Sequence, residues 1–103
     1  MRFVTCVIKP FRLDPIVQAL SEIEIEELVI SHVRGYGRQK GHTTTYRESE
    51  YLIAFLPKIM IEFAIDDDDL EDAIERIIKV ARTGRIGDGK IFIQDVEAWA
   101  SFD

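Results

Sequence analysis

The chain has 103 residues and a formal net charge of −6 at pH 7. This length suits one domain with its own core, the acidic balance argues against general nucleic-acid binding, and we recognise neither a membrane-spanning apolar run nor a signal peptide. Since the single cysteine, Cys6, cannot form an internal disulfide, we expect a reduced, cytoplasmic protein.

The first third of the chain predicts a strand, a helix and a second strand. Residues 3–8 form a β-rich run, and we interpret Cys6 within it as a core residue rather than a nucleophile. Asp14 and Pro15 are residue types favoured at the N-cap and at the first position of a helix, and we predict that a helix begins there. Residues 28–33 form the next strand, which is predicted to end at the glycines of residues 35–37.

A polar stretch follows from Arg38 to Glu50. It has one aromatic and no aliphatic residue, so it lacks the side chains that a core needs. We predict a long exposed loop that takes several conformations without a ligand. Long loops of this kind in small domains commonly carry function.

The rest of the chain predicts a strand, a helix and a strand. Residues 51–55 and 58–65 form a strand that Pro57 is expected to interrupt. A second helix is predicted to begin at Asp68, with Glu71 completing a capping box, and the surrounding acids are interpreted as a solvated helix N-terminus. Residues 91–96 form the last strand.

The order β-α-β-β-α-β predicts an α+β, ferredoxin-like fold in which two helices cover one face of a four-stranded antiparallel sheet. We expect residues 1–103 to form this single domain. Fold alone does not indicate a function.

A glycine-rich segment at residues 81–90 is the clearest functional feature. It has three glycines in six residues and ends at Lys90, a composition that can hold an anion through backbone N–H groups and an ammonium. A Walker motif is excluded because Ile91 offers no hydroxyl for Mg²⁺ and the segment follows a helix. The alternative is a plain turn after a C-cap at Gly84.

Several long motifs resemble the PII signal-transduction family of nitrogen regulatory proteins. The matching segments are residues 8–14, 35–43, 46–47, 50–51, 55–58 and 81–92, and the resemblance runs from about residue 1 to residue 97. It implies a homotrimer with a long T-loop at about 37–51, a B-loop at about 82–90 and a short tail at 97–103.

The resemblance also implies binding of ATP or ADP in the clefts between subunits. The B-loop and Arg38 would hold the phosphates, and residues of the sheet would line the adenine pocket. The implied nucleotide-binding residues are Val7, Gly35, Arg38, Glu62, Ala64, Gly87, Asp88, Gly89 and Lys90.

In the ATP state the resemblance implies a 2-oxoglutarate site. Gln39 would help to hold Mg²⁺ beside the effector, and Lys58 would pair with the distal carboxylate of 2-oxoglutarate. Lys40 and Gly41 belong to the same effector site.

The implied output is docking of the T-loop on a membrane transporter or metabolic enzyme, with neither nucleic-acid binding nor direct membrane insertion. Ser49 and Tyr51 are candidates for phosphorylation and uridylylation, which would add negative charge to the loop. In the alternative interpretation Ser49 is solvated and Tyr51 anchors the end of the loop.

Three departures from the family pattern separate this chain from typical members. The tail at residues 97–103 has no phosphate-binding arginines, Met60 replaces a common lysine, and Glu27 and Val29 replace a glycine and a threonine. A second hypothesis is therefore a PII-like regulator of a bicarbonate or metal transporter that senses another small anion, such as bicarbonate.

A third hypothesis is a small ferredoxin-like enzyme. It has weak support, because His32 and His42 have no obvious catalytic partner and we find no nucleophile–base pair in the sequence.

Overall fold

The computed structural model describes residues 1–40, 51–85 and 87–102, including side chains except at 36–40 and 51–55. The elements in chain order are β1 (Arg2–Ile8), α1 (Leu13–Leu20), β2 (Val29–Lys40), β3 (Tyr51–Ile65), α2 (Asp67–Ala81) and β4 (Gly89–Asp95). The strands form one antiparallel sheet in the order β2-β3-β1-β4. This arrangement confirms the predicted ferredoxin-like fold.

The core lies between the helices and one face of the sheet. Alternate residues of the two central strands are buried there, namely Val4, Cys6 and Ile8 of β1 and Ile59, Ile61, Phe63 and Ile65 of β3. They pack with Ile16 and Leu20 of α1 and Ala73 and Ile77 of α2. Burying each isoleucine contributes about 1.5–3 kcal/mol to folding. Cys6 is 1% exposed, and burial raises the pKa of its thiol to about 11, which confirms that it is a core residue.

The other face of the sheet carries no helix, and we call it the open face. Directly paired residues lie on the same face, so the register places Ser31, Met60, Val7 and Lys90 in one row across all four strands. The next row contains Val29, Glu62, Thr5 and Phe92. Val29 and Phe92 are 47% and 54% exposed, so this single chain leaves apolar area on its open face in contact with water.

The first helix begins earlier than predicted. A 3-10 turn at Pro10–Arg12 leads directly into α1 at Leu13, and Arg12 occupies the N-cap position without a side-chain capping bond. Asp14 therefore lies in the first helical turn and is not the cap. Pro15 is accommodated because the N–H groups of a first turn have no partner within the helix.

The two long strands extend farther than predicted. β2 continues to Lys40 and pairs with β3 up to Tyr51, and β3 runs through Pro57 without a break. β1 ends opposite Ile59, so at Pro57 the strand has a neighbour only on its β2 side. Proline is tolerated there because one side of the strand needs no ladder hydrogen bond. The predicted loop at residues 38–50 is therefore wrong at residues 38–40, which belong to β2, and its residues 41–50 lie outside the described residues.

The second helix also starts before its predicted position. Its N-cap is Asp66, which makes no side-chain capping bond, so the predicted pair of Asp68 and Glu71 is not the capping box. Asp67 instead accepts a hydrogen bond from the N-terminal ammonium at 3.0 Å and forms an ion pair with Arg2 at 3.3 Å. The acidic first turn agrees with the predicted helix N-terminus.

The two helices are joined across the top of the core by Arg76. Its guanidinium donates to the Ala19 carbonyl of α1 and pairs with Glu22 just beyond that helix. None of the helices in the described residues is long and apolar enough to span a membrane.

Candidate functional site

The glycine loop, residues 82–90, is organised around the carboxylate of Asp88. This carboxylate accepts hydrogen bonds from three consecutive backbone N–H groups, those of Thr83 at 2.5 Å, Gly84 at 3.0 Å and Arg85 at 3.3 Å. The Thr83 hydroxyl donates a further short hydrogen bond. Three backbone amides that could have held an external anion are thus already occupied by an anion of the loop itself.

A lysine from the start of the chain completes this arrangement. Lys9, directly after β1, places Nζ 3.2 Å from Oδ1 of Asp88. The Thr83 hydroxyl and backbone N–H hold the pKa of the Asp88 carboxyl well below its usual range, and the Lys9 ammonium adds to the effect. Asp88 is therefore ionised at every physiological pH, and its charge is met by a cation.

A second lysine contacts the other side of the loop. Lys58, on the open face of β3, donates from Nζ to the carbonyl oxygen of Gly87 at 3.2 Å. Its stem lies over β2, where a Cβ on Gly35 would come within 3.2 Å of Cγ of Lys58. The lysine predicted to bind a carboxylate therefore contacts the loop predicted to bind phosphate.

Two glycines permit the backbone conformation of the glycine loop. Gly87 has a φ of 88°, in the left-handed region that other residues adopt only at a cost. At Gly89 an added Cβ would lie 2.7 Å from the carbonyl oxygen of Val7, so only glycine permits this close approach of β4 to β1. The predicted C-cap at Gly84 is wrong, because α2 ends at Ala81 with Arg82 as its C-cap.

The predicted nucleotide residues other than Arg38 fall into two groups along the sheet. Val7, Gly35 and Lys90 lie near the glycine loop, together with Gly87, Asp88 and Gly89. Glu62 and Ala64 lie toward the far end of β3. There they line a cleft of about 620 Å³ with Phe3, Val29 and Trp99, and Glu24, Glu26, Glu27 and Asp66 make this cleft acidic.

The two groups adjoin near the middle of the sheet, because Val7 pairs with Met60, two residues from Glu62, but their outer members lie far apart. Gly35 pairs with Leu56, and Ala64 lies eight residues farther along β3. At ~3.4 Å per residue this separation is about 27 Å. A pocket containing both Gly35 and Ala64 therefore needs the loop end of one chain beside the cleft end of another.

The remaining predicted residues are placed only in part. The backbones of Arg38, Gln39 and Lys40 belong to the last residues of β2, opposite the start of β3 at Tyr51. Their side chains are not described, and Gly41 and Ser49 lie outside the described residues.

Sequence reasoning missed two residues that shape the glycine loop, Lys9 and Thr83. Thr83 carried a local signal, because a hydroxyl five residues before an aspartate in a glycine-rich turn can bond that carboxylate. Lys9 carried none, since it lies 79 residues from Asp88 in the sequence. His32 lies exposed on β2, and no group of three potential metal ligands is found among the described residues.

Comparisons with known proteins show which family the chain resembles. The family model of the nitrogen regulatory protein P-II matches residues 1–101. The chain is 50% identical over 97 residues to the nitrogen regulatory protein P-II of Mesorhizobium japonicum and 47% identical over 97 residues to that of Pasteurella multocida, in each case covering 94% of this chain and 87% of the relative. It is 48% identical over 96 residues to the nitrogen regulatory protein P-II 1 of Escherichia coli K12, covering 93% of this chain and 86% of the relative.

Proposed function

Because the chain belongs to the nitrogen regulatory protein P-II family, we propose that it is a trimeric signal-transduction regulator that binds ATP or ADP between its subunits. Its relatives are named as regulatory proteins, which assigns this chain to regulation and not to catalysis. The observation that carries the nucleotide proposal is the glycine loop, whose form is fixed by Asp88 and which ends in the exposed Lys90.

The separation of Gly35 from Ala64 along the sheet supports a binding site made from two subunits. The phosphates would lie against Gly87, Gly89 and Lys90 of one chain, and the base against Glu62 and Ala64 of its neighbour. A carboxylate beside the base can accept a hydrogen bond from an exocyclic amino group. The apolar residues of the open face and the exposed Trp99 supply surface for such an assembly.

A dicarboxylate effector, 2-oxoglutarate, is proposed next to the phosphates. The contact of Lys58 with Gly87 supports this proposal, because it would bring an ammonium to the boundary between the two proposed sites. Mg²⁺ would arrive with ATP and take oxygen ligands from the phosphates, the effector and the Gln39 amide. This fits the described residues, because Mg²⁺ in nucleotide sites needs few protein ligands and no cluster of carboxylates is required.

We propose that the T-loop docks, in the cytoplasm, on a membrane transporter or a metabolic enzyme and thereby regulates it. The paired ribbon of β2 and β3 extends past β1 and carries residues 41–50 at its end. A ligand that binds Gln39, Lys40 and Lys58 would act on the base of this ribbon and shift the docking conformations. Charge added at Ser49 or Tyr51 would modify the same segment.

A second candidate is a regulator that senses bicarbonate or another small anion. It is supported by features that would weaken nucleotide binding: Glu24, Glu26 and Glu27 line the cleft that contains the proposed base pocket, and Met60 adds no positive charge to the row of Val7 and Lys90. In this case Lys58 would bind the small anion, and partner control would concern a bicarbonate or metal transporter.

Calorimetric titration tests both proposals. Lys90→Ala is expected to weaken ADP and ATP binding by about 1.5–3 kcal/mol, the scale of a hydrogen bond to a charged group. Lys79→Ala, which removes an equal charge from the exposed face of α2, is the matched control and should bind as the unchanged protein does. Equal binding by Lys90→Ala would show that the glycine segment is only a turn.

The effector is identified in the same titrations. Binding of 2-oxoglutarate is expected only in the presence of Mg²⁺-ATP and should be lost in Lys58→Ala. Binding of bicarbonate, with no response to 2-oxoglutarate, would favour the second candidate instead.

A further inference from the structure

The carboxylate of Asp88 presents an electrostatic problem for the proposed site. It lies in the chain between Gly87 and Gly89, whose backbone is proposed to hold phosphates. It is ionised, and a carboxylate beside a polyphosphate repels it. It is nevertheless required there, because it holds the amides of Thr83, Gly84 and Arg85.

Lys9 supplies a positive charge that compensates the negative charge of Asp88. Its ammonium lies 3.2 Å from Oδ1 of Asp88, and the side chains of Lys9 and Asp88 are only 26% and 17% exposed. Partial burial weakens solvent screening, so the pair interacts more strongly than an ion pair on an open surface. Lys9 also joins the end of β1 to a loop 79 residues away.

We propose that Lys9 is a positioning residue for nucleotide binding that acts through Asp88: it neutralises the carboxylate beside the phosphates and holds the loop in its binding form. This inference depends on the proposed nucleotide site and adds to it a residue that does not itself touch the ligand. The loss of Lys9 would expose the phosphates to an uncompensated negative charge. Its effect must therefore grow with the charge of the ligand.

The test uses Lys9→Met, which removes the charge and retains an apolar stem of similar length. Calorimetry with ATP, ADP and AMP is expected to show about tenfold weaker ADP binding, a larger loss for ATP and a smaller loss for AMP. Lys9→Arg, which retains the charge, should restore most of the affinity. Lys79→Met is the control for net charge, since it lies on the exposed side of α2.

A double-variant cycle separates this role from general loop damage. In an Asp88→Asn background there is no carboxylate to neutralise, so adding Lys9→Met should cost little further affinity. Equal losses for all three nucleotides, additive losses in the cycle, or unchanged binding in Lys9→Met would each overturn the inference. Failure of the unchanged protein to bind any adenine nucleotide would overturn the proposed function itself, and this inference with it.

Should Lys9→Met not fold, the Lys9→Arg and Asp88→Asn proteins still give a decision. Asp88→Asn removes both the repulsion and the anchor of the loop. Its loss of affinity should therefore be smallest for ATP and largest for AMP, the reverse of the order expected for Lys9→Met. An Asp88→Asn protein with the same loss for each nucleotide would contradict the charge argument.

Discussion

At the scale of single residues, Asp88 links local geometry to pH-dependent stability. Its folded-state pKa is depressed by hydrogen bonds from Thr83 and by Lys9. A carboxyl of this kind contributes stability that is present above its unfolded-state pKa of about 3.9 and is lost as the pH falls toward the folded-state value. The protein should therefore lose this contribution only in acid.

Asp88→Asn tests the pH dependence directly. An amide cannot match the charge that the carboxylate presents to three N–H groups and Lys9, so the variant should be less stable at pH 7. Urea unfolding at pH 7, 5 and 3 should show a difference that is constant down to about pH 5 and narrows below about pH 4. If the difference in free energy of unfolding between the two proteins is unchanged at pH 3, Asp88 stabilises the loop through the shape of its side chain and not through its charge.

The residue scale also shows where sequence reasoning reached its limit. The glycine loop was recognised from local composition, and Cys6 was placed in the core from its apolar neighbours. The contacts of Asp88 with Lys9 and of Lys58 with Gly87 join residues 79 and 29 positions apart. Such contacts depend on which strands pair and in what register, so a local pattern cannot reveal them.

At the scale of elements, β4 and the glycine loop form one unit because Gly89 belongs to both. Gly89→Ala would put a Cβ 2.7 Å from the Val7 carbonyl, which is part of the backbone of the central strand and cannot move aside cheaply. Overpacking of this kind costs about 1–3 kcal/mol. We expect Gly89→Ala to lower the free energy of unfolding by this amount and to weaken ADP binding by shifting the loop.

Gly84→Ala is the matched comparison for this prediction. Gly84 also lies in the loop, but a Cβ there would meet nothing within 4 Å. Its only cost is the left-handed backbone, with a φ of 85°. Urea unfolding should therefore rank Gly89→Ala as the more damaging change, and the opposite order would show that the approach to Val7 is relaxed in solution.

The elements themselves were the most predictable part of the fold. Alternation of Ile59, Ile61 and Phe63 identifies both a strand and its buried face, because side chains of a strand point to opposite sides in turn. The break predicted at Pro57 is wrong, because a proline interrupts a strand only where its missing N–H is needed for pairing. Here that depends on where the neighbouring strand β1 ends. α1 begins two residues before the predicted Pro15 and α2 one residue before the predicted Asp68, and neither helix has the side-chain cap that its sequence suggests.

At the scale of the whole molecule, the open face is the strongest structural argument that the chain assembles with other copies of itself. One chain leaves Val29, Phe92 and Trp99 exposed and places Gly35 and Ala64, two residues of the proposed nucleotide site, about 27 Å apart. A closed ring in which each loop end meets a neighbour's cleft end satisfies both conditions without leaving a free half-site. For the proposed trimer, we expect the chain to sediment at micromolar concentration with three times its mass of 11.9 kDa.

Phe92→Asp provides the variant for this last prediction. The change places a charge on the open face, where Phe92 is 54% exposed in the single chain, so the folded monomer should tolerate it. If the open face is buried between subunits, the same change leaves an unpaired charge in an apolar contact and should dissociate the ring. Nucleotide binding should then be lost together with the trimer, although every proposed phosphate ligand on the glycine loop is intact. A monomeric Phe92→Asp protein that still binds ADP with full affinity would show that one chain contains the complete site, and would contradict the two-subunit cleft.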